Sequence, residues 1–172
     1  MLKNIIKNQQ IFIHSLLGVI ILSGNLIFAH TSHSAKRDIP RFMSIKTNEA
    51  NARLGPGVNY QIKNIYKYKW LPVEVIAEYD TWKKIKDLEG DEGWMHTSIL
   101  SNKRTVIIRS NRKQNLYNSD KLEKEKVIAV LMPNVVCALK KCTEQVCKIS
   151  CKGNTGWINR KHLWGIYKKE KI

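Results

Sequence analysis

The sequence predicts an all-β protein in which two small β-barrels of about 60 residues each follow one another along the chain. Three observations predict this fold: an internal repeat, short apolar strands separated by frequent turn residues, and no amphipathic helical pattern after residue 35. A chain of 172 residues has room for one ordinary domain or two very small ones. The predicted barrels are residues 41–103 and 104–167.

The repeat is clearest in the last two strands of each unit. Trp82–Ile85 is followed by a strand that contains Gly93-Trp94, and Val146–Ile149 is followed by a strand that contains Gly156-Trp157. Aligned on Gly-Trp, the two segments match apolar residue for apolar residue. A unit of this size buries little apolar surface, so each barrel is expected to be only marginally stable alone.

Further strands are predicted upstream of these pairs. Val73, Val75 and Ala77 alternate with Glu74, Ile76 and Glu78, which predicts a strand with a core side and a second, partly covered side. Residues 105–109 and 126–131 predict two more strands. Leu71-Pro72 is aligned with Met132-Pro133 as the start of equivalent strands. The sequence of the first unit contains no cysteine, so its core is expected to rely on Trp82, Trp94, Tyr66 and aliphatic residues.

Residues 1–29 predict a secretory signal peptide. Lys3 and Lys7 precede an apolar run that ends at Ala29, the favoured cleavage site. The alternative is an uncleaved membrane anchor, because the run is nearly long enough to span a bilayer. Both interpretations export the rest of the chain. Residues 30–40 are expected to form a flexible linker, and residues 168–172 a basic tail.

The four cysteines all lie in the second predicted unit. An even, clustered number of cysteines in an exported protein indicates two disulfide bonds. Their spacing lacks the paired C-x2-C knuckles of a zinc site, so no metal is expected. The four residues are Cys137, Cys142, Cys147 and Cys151. They can be joined in pairs in three ways, and the sequence alone leaves all three open.

The net charge of +16 suits an anionic partner such as an acidic polymer of the cell envelope. The lysines and arginines are scattered, however, which favours an ordinary solvated surface over a dedicated binding tract. Nucleic acid is not an expected partner, because export separates the chain from it and no basic-aromatic motif is present.

Residues 51–60 resemble the opening of bacterial SH3 (SH3b) domains, with Gly55-Pro56-Gly57 at their centre, and the two Gly-Trp strands resemble the strand that closes those barrels. The chain is also similar to a proteobacterial family of exported tandem SH3-like proteins. That family carries Cys-x4-Cys followed by Leu-Trp-Gly-Val-Tyr, matched here by Cys142, Cys147 and residues 163–167.

This resemblance implies two tandem SH3-like barrels and a periplasmic location, either free or anchored in the inner membrane. It also favours a Cys142–Cys147 disulfide, which leaves Cys137–Cys151 as the second bridge. It brings no established ligand.

The sequence contains no set of residues that predicts catalysis. Walker, H-E-x-x-H and G-x-S-x-G motifs are missing, and His96 and His162 stand at different offsets after Gly-Trp, as expected for rim histidines. A Cys-His pair would need a free thiolate, which paired cysteines do not supply. We therefore expect a protein that is not an enzyme and has no cofactor.

Binding is the expected class of function, because SH3-like barrels bind peptides in aromatic-lined grooves. Arg53 could pair with a carboxylate such as the terminus of a peptidoglycan stem peptide. Two functions are compatible with the sequence: a module that recognises peptidoglycan peptides or another envelope component, and an adaptor that docks a partner protein without touching the wall. The candidate ligand-binding residues are Arg53, Tyr60, Tyr79 and Trp82.

Overall fold

The computed structural model describes residues 38–172, which form two seven-stranded antiparallel sheets. The predicted signal peptide and most of the predicted linker lie outside the described residues. Within 38–172, no helix is long and apolar enough to cross a membrane. The helical segments in this part of the chain are single 3-10 turns: Thr97–Ile99, Lys124–Lys126 and Arg160–His162.

The first sheet, here called barrel 1, has the strand order β3-β2-β6-β5-β4-β1-β7. Apolar residues alternate along most of these strands, and turn residues separate them. The strands are β1 (Arg41–Ile45), β2 (Ala50–Arg53), β3 (Ile62–Tyr66), β4 (Pro72–Tyr79), β5 (Trp82–Lys86), β6 (Glu92–His96) and β7 (Leu100–Ser101).

The second sheet, here called barrel 2, has the strand order β10-β9-β13-β12-β11-β8-β14, which repeats that of barrel 1 strand for strand. The predicted duplication is therefore present in the topology. The strands are β8 (Thr105–Ile108), β9 (Gln114–Tyr117), β10 (Val127–Leu131), β11 (Val136–Cys142), β12 (Val146–Cys151), β13 (Asn154–Asn159) and β14 (Leu163–Trp164).

The predicted upstream alignment of the two units is wrong by three residues. In barrel 1 the backbone N–H of Trp70 donates a hydrogen bond to the carbonyl oxygen of Ile45. In barrel 2 the backbone N–H of Asn134 donates one to the carbonyl oxygen of Ile108. Both donors have a left-handed backbone, with φ of 67° and 62°. Pro72 is therefore equivalent to Val136 and not to Pro133. The strand begins where the turn at Trp70 or Asn134 ends, and the position of the proline does not determine its start.

The core of barrel 1 is aliphatic. Val73 and Val75 are fully buried, as their alternation predicts, and Tyr66 packs against the same cluster. Trp82 and Trp94 lie outside this cluster and are only half-buried, which corrects the expectation that they fill the core. Gly93 explains the difference, because a Cβ there would lie 2.8 Å from that of Ala52. The glycine thus lets β6 pass close to β2 while Trp94 faces outward.

The core of barrel 2 contains both disulfides, Cys137–Cys151 and Cys142–Cys147, which are the pairs that the family resemblance favours. Cys142 and Cys147 are cross-strand partners on β11 and β12. The equivalent partners on β4 and β5 are Glu78 and Lys83, which form an ion pair of 2.9 Å. A charged link in barrel 1 therefore occupies the position of a covalent link in barrel 2.

The two barrels are held together by the segment 163–167. Phe42 of β1 packs edge-on against Trp164, with ring centroids 5.1 Å apart, and also contacts Tyr167 at 4.8 Å. The phenol of Tyr167 donates to Glu74 Oε1 (2.8 Å). Gly165 has a φ of 108° and crosses so close to Thr105 that a Cβ would lie 2.6 Å from its carbonyl oxygen.

A polar contact completes this junction at the start of barrel 2. Thr105 Oγ1 donates to the carbonyl oxygen of Trp70 (2.8 Å) and lies 2.6 Å from Ser44 Oγ. Ser44 and Thr105 are both buried, so these groups are satisfied by one another instead of by water. Apolar packing and hydrogen bonds thus link the barrels directly, with no flexible linker between them.

Candidate functional site

Arg53 and Tyr60 lie together at the end of β2 and in the loop that follows it. The Arg53 guanidinium donates through Nη1 to the carbonyl oxygen of Tyr60 (2.7 Å), which fixes the base of the loop. The Tyr60 ring lies over Gly55, where a Cβ would lie 2.4 Å from it, yet half of the tyrosine is exposed. The turn residues Gly55-Pro56-Gly57 therefore give an aromatic ring a fixed place at the surface.

Tyr79 and Trp82 lie together at the tip of the β4–β5 hairpin. They are directly opposite each other in the strand register, and Tyr79 is mostly exposed. The Trp82 ring meets His96 edge-on, with centroids 5.4 Å apart. His96 Nδ1 accepts a hydrogen bond from the backbone N–H of Ser98 (3.2 Å), so this histidine caps the 3-10 turn after β6.

Strand register brings Arg53 and Trp82, one residue from each pair, onto the same side of the sheet, here called the outer face of barrel 1. Arg53 is opposite Trp94 on β6, and Trp94 is in turn opposite Lys84 on β5. His96, two residues beyond Trp94, is opposite Trp82 and projects on the same side. The outer face consists of Arg53, Trp82, Lys84, Trp94 and His96.

Lys84 is partly neutralised on this face. Its Nζ lies 2.6 Å from Glu92 Oε2, and this hydrogen bond holds the pKa of the Glu92 carboxyl below its ordinary value. Arg53 has no ion-pair partner among residues 38–172. The outer face therefore offers one uncompensated guanidinium beside the half-buried indole ring of Trp94.

Barrel 2 repeats this arrangement with different side chains, and its outer face consists of Tyr117, Lys148 and Trp157. Trp157 is opposite Lys148 on β12, and the Lys148 ammonium lies 5.9 Å from the centre of the Trp157 ring, within the range of a cation–π contact. Tyr117 of β9 takes the place of Arg53. Each barrel thus exposes a tryptophan beside a cation at the same strand position.

A cleft between the barrels was not predicted from the sequence. It has a volume of about 410 Å³ and is lined by both barrels. Its residues are dispersed along the chain, so only the packing of one barrel on the other brings them together. The lining residues are Tyr68, Leu71, Pro72, Asp87, Leu88, Glu89, Ile107, Asn134, Val136 and Trp164.

The cysteines are not available as nucleophiles, because all four form disulfides and none is a free thiolate. Burial lowers the pKa of His162 below its ordinary value, and Lys161 lowers it further. Among residues 38–172, no three His, Cys, Asp or Glu side chains are placed to hold a metal ion.

Comparison with known proteins identifies the two barrels. The family model described as "Bacterial SH3 domain" matches residues 46–102 and 112–165. No curated protein matches the chain. Solved structures of NlpC2 and NlpC1 from Trichomonas vaginalis are similar to it at 13% and 12% identity, with TM-scores of 0.34 and 0.32.

These two alignments cover 78% and 76% of this chain and 51% and 47% of those chains, so this chain spans about half of their length. The family matches are more specific, and each falls within one of the two sheets and its loops. Both matched segments are SH3 domains and neither is a catalytic domain. Because they cover more than half of the sequence, this chain belongs to the family of bacterial SH3 domains, which it carries in two tandem copies.

Proposed function

We propose that the two SH3 domains form a non-catalytic binding module of the cell envelope that recognises peptidoglycan stem peptides. The observation that carries this proposal is the outer face, because both barrels expose a tryptophan beside a cation at the same strand position. An indole ring packs against the apolar part of a peptide, and a guanidinium or ammonium pairs with its carboxylates.

The disulfides support this function. Two disulfides within one barrel favour an oxidising environment, and the periplasm, where the cell wall lies, is such an environment. The net charge of +16 adds a general attraction for anionic wall polymers. Charge alone would not distinguish one polymer from another, so specificity is assigned to the outer face.

Sedimentation with insoluble peptidoglycan tests the proposal. The wild-type protein is expected to sediment with the wall in both low and high salt, because packing on a tryptophan is screened less than ion pairing. Arg53→Ala is expected to weaken binding by about threefold to tenfold, since it removes the uncompensated guanidinium. Lys148→Ala removes the cation that lies beside Trp157 in barrel 2, at the position that Lys84 occupies in barrel 1.

Lys152→Ala is the matched control, because Lys152 is exposed in a turn and does not lie on either outer face. It should sediment like the wild type. If high salt released all of the protein from the wall, its binding would be due to charge alone. If Arg53→Ala and Lys148→Ala both bound like the control, the outer faces would not be the binding surface.

A second candidate function is a periplasmic adaptor that docks a partner protein. One observation favours it: β3 and β10 are edge strands that expose apolar side chains, among them Ile65 and Val130. An unpaired edge of this kind can accept a strand from another protein. No sedimentation with the wall, together with a defined partner that co-purifies from a periplasmic extract, would favour the adaptor.

A further inference from the structure

We propose that the cleft between the two barrels binds a zwitterionic amino-acid group carried on an aliphatic stem. The inference deepens the proposed function and rests on it, because the diamino acid of a cell-wall stem peptide carries an ammonium group on such a stem. The cleft is separate from the outer faces and is formed only when both barrels are present.

The walls of the cleft fit an aliphatic stem. Leu71 and Val136 line it from opposite barrels, and both are half-buried. Trp164, held in place by Phe42, adds an aromatic wall. A cleft of about 410 Å³ falls in the size range of ligand pockets and is large enough for one long side chain.

The charged residues of the cleft fit an ammonium group. On a chain with 30 basic and 14 acidic residues, the charged residues that line the cleft are both acidic, Asp87 and Glu89. Neither carboxylate has an ion-pair partner among residues 38–172. Tyr68, which is 73% exposed, adds an aromatic ring for a cation–π contact at the rim.

The Asp87 carboxylate is also fixed in place. Its Oδ1 accepts hydrogen bonds from the backbone N–H groups of Glu89 (3.0 Å) and Asp91 (2.9 Å), and its Oδ2 accepts one from Tyr66 (2.9 Å). All three donors are neutral, so they orient the carboxylate without cancelling its charge. A carboxylate held in this way binds a cation without first losing conformational freedom.

A basic residue lies in a second pocket that adjoins the cleft. This pocket shares Leu88, Glu89 and Asn134 with the cleft and is also lined by Arg109 of barrel 2. The order of apolar wall, acidic residue and basic residue matches an aliphatic stem that ends in an ammonium and a carboxylate on one carbon. A simple amine would leave Arg109 unused, and a simple carboxylate would be repelled by Asp87 and Glu89.

Binding of 2-aminoheptanoic acid to the full chain tests the inference, because this probe has one aliphatic stem and one zwitterionic group. Its N-acetyl and carboxamide derivatives remove the ammonium and the carboxylate in turn. We expect NMR shifts at the Trp164 indole N–H and at Tyr68, and about tenfold weaker binding of the N-acetyl derivative. Glu89→Gln should weaken the parent probe to a similar extent.

Arg109→Ala should bind the acid and the carboxamide equally, whereas the wild type should prefer the acid. Glu123→Gln, an exposed carboxylate outside the cleft, is the control and should bind like the wild type. Equal binding of the parent and N-acetyl probes, unchanged binding by Glu89→Gln, or shifts confined to the outer faces would each overturn the inference.

The two proposals fail separately. A protein that sediments with the wall but shows no shifts in the cleft would retain the proposed function and lose this site. A protein that binds the probe in the cleft but does not sediment would retain the site, and its zwitterionic ligand would then belong to a source other than the wall.

Discussion

At the scale of single residues, two tyrosines each donate a hydrogen bond from the phenol to a carboxylate on another part of the chain. Tyr66 donates to Asp87 at the rim of the cleft, and Tyr167 donates to Glu74 across the junction of the barrels. Burial raises the pKa of both phenols well above the ordinary value of 10, and the neighbouring carboxylates raise it further. The charged phenolate would have to be formed in a partly buried site beside a negative charge.

A spectrophotometric titration measures this, because the absorbance of a phenol changes when it ionises. Tyr66 and Tyr167 are expected to ionise well above pH 10, and Tyr167→Phe should remove one late ionisation. Since the pKa is raised in the folded state, the stability that these groups contribute is present below pH 10. It is lost as pH rises through their folded pKa values. An unchanged titration curve above pH 10 in Tyr167→Phe would contradict this.

The residue scale also shows how much of the site could be predicted. The pattern around Gly55-Pro56-Gly57 pointed to Arg53 and Tyr60; Arg53 ends β2, and its hydrogen bond to the Tyr60 carbonyl oxygen holds the two together. The cleft could not be predicted, because Tyr68, Asp87 and Trp164 are far apart in sequence. Local patterns describe which face of a strand is apolar, but they contain no information on which two surfaces of separate barrels will meet.

At the scale of strands and hairpins, the two copies stabilise the same position in different ways. The β11–β12 hairpin is closed by Cys142–Cys147, and the β4–β5 hairpin by the Glu78–Lys83 ion pair. Burial opposes ionisation of Glu78, but hydrogen bonds from Lys83 and Arg41 hold its pKa below the ordinary value. The hairpins could be predicted from their apolar strands, whereas the start of β11 could not, because it depends on the backbone conformation of Asn134.

Removing the disulfides one at a time measures their contributions to barrel 2. In the loop-entropy account, replacing Cys142 and Cys147 with serine should cost about 2 kcal/mol, and replacing Cys137 and Cys151 about 3 kcal/mol, because the second bridge closes a longer loop. The free energy of unfolding in urea is the measurement. The wild type treated with reductant is the control and should lose both contributions. Equal stability of either variant and the oxidised wild type would contradict this expectation.

At the scale of the whole chain, the junction makes the two barrels depend on each other. Phe42 is buried between Trp164 and Tyr167, and Thr105 and Ser44 meet beside it. The motif at residues 163–167 was recognised only as a family resemblance. Its physical role is to carry the last strand of barrel 2 past Thr105 at Gly165 and then to pack on β1. The cleft exists because this junction holds the barrels side by side.

Phe42→Ala should therefore uncouple the barrels. We expect the wild type to unfold in one transition, because losing the junction exposes apolar surface on both barrels. The variant loses a buried aromatic side chain, at a cost of about 3–5 kcal/mol, and barrel 1 should then unfold first because it has no disulfide.

Hydrogen exchange followed by NMR measures this directly, since the strands of barrel 1 should lose protection at lower urea concentrations than those of barrel 2. Tyr79→Ala is the control, because Tyr79 is an exposed aromatic residue away from the junction, and it should leave the single transition intact. If Phe42→Ala lowered the protection of both barrels equally, the junction would add stability without being the contact that couples them. The same variant should also lose the cleft. With both barrels still folded, Phe42→Ala is expected to show no NMR shifts at Trp164 and Tyr68 when 2-aminoheptanoic acid is added, because both barrels are needed to form the site.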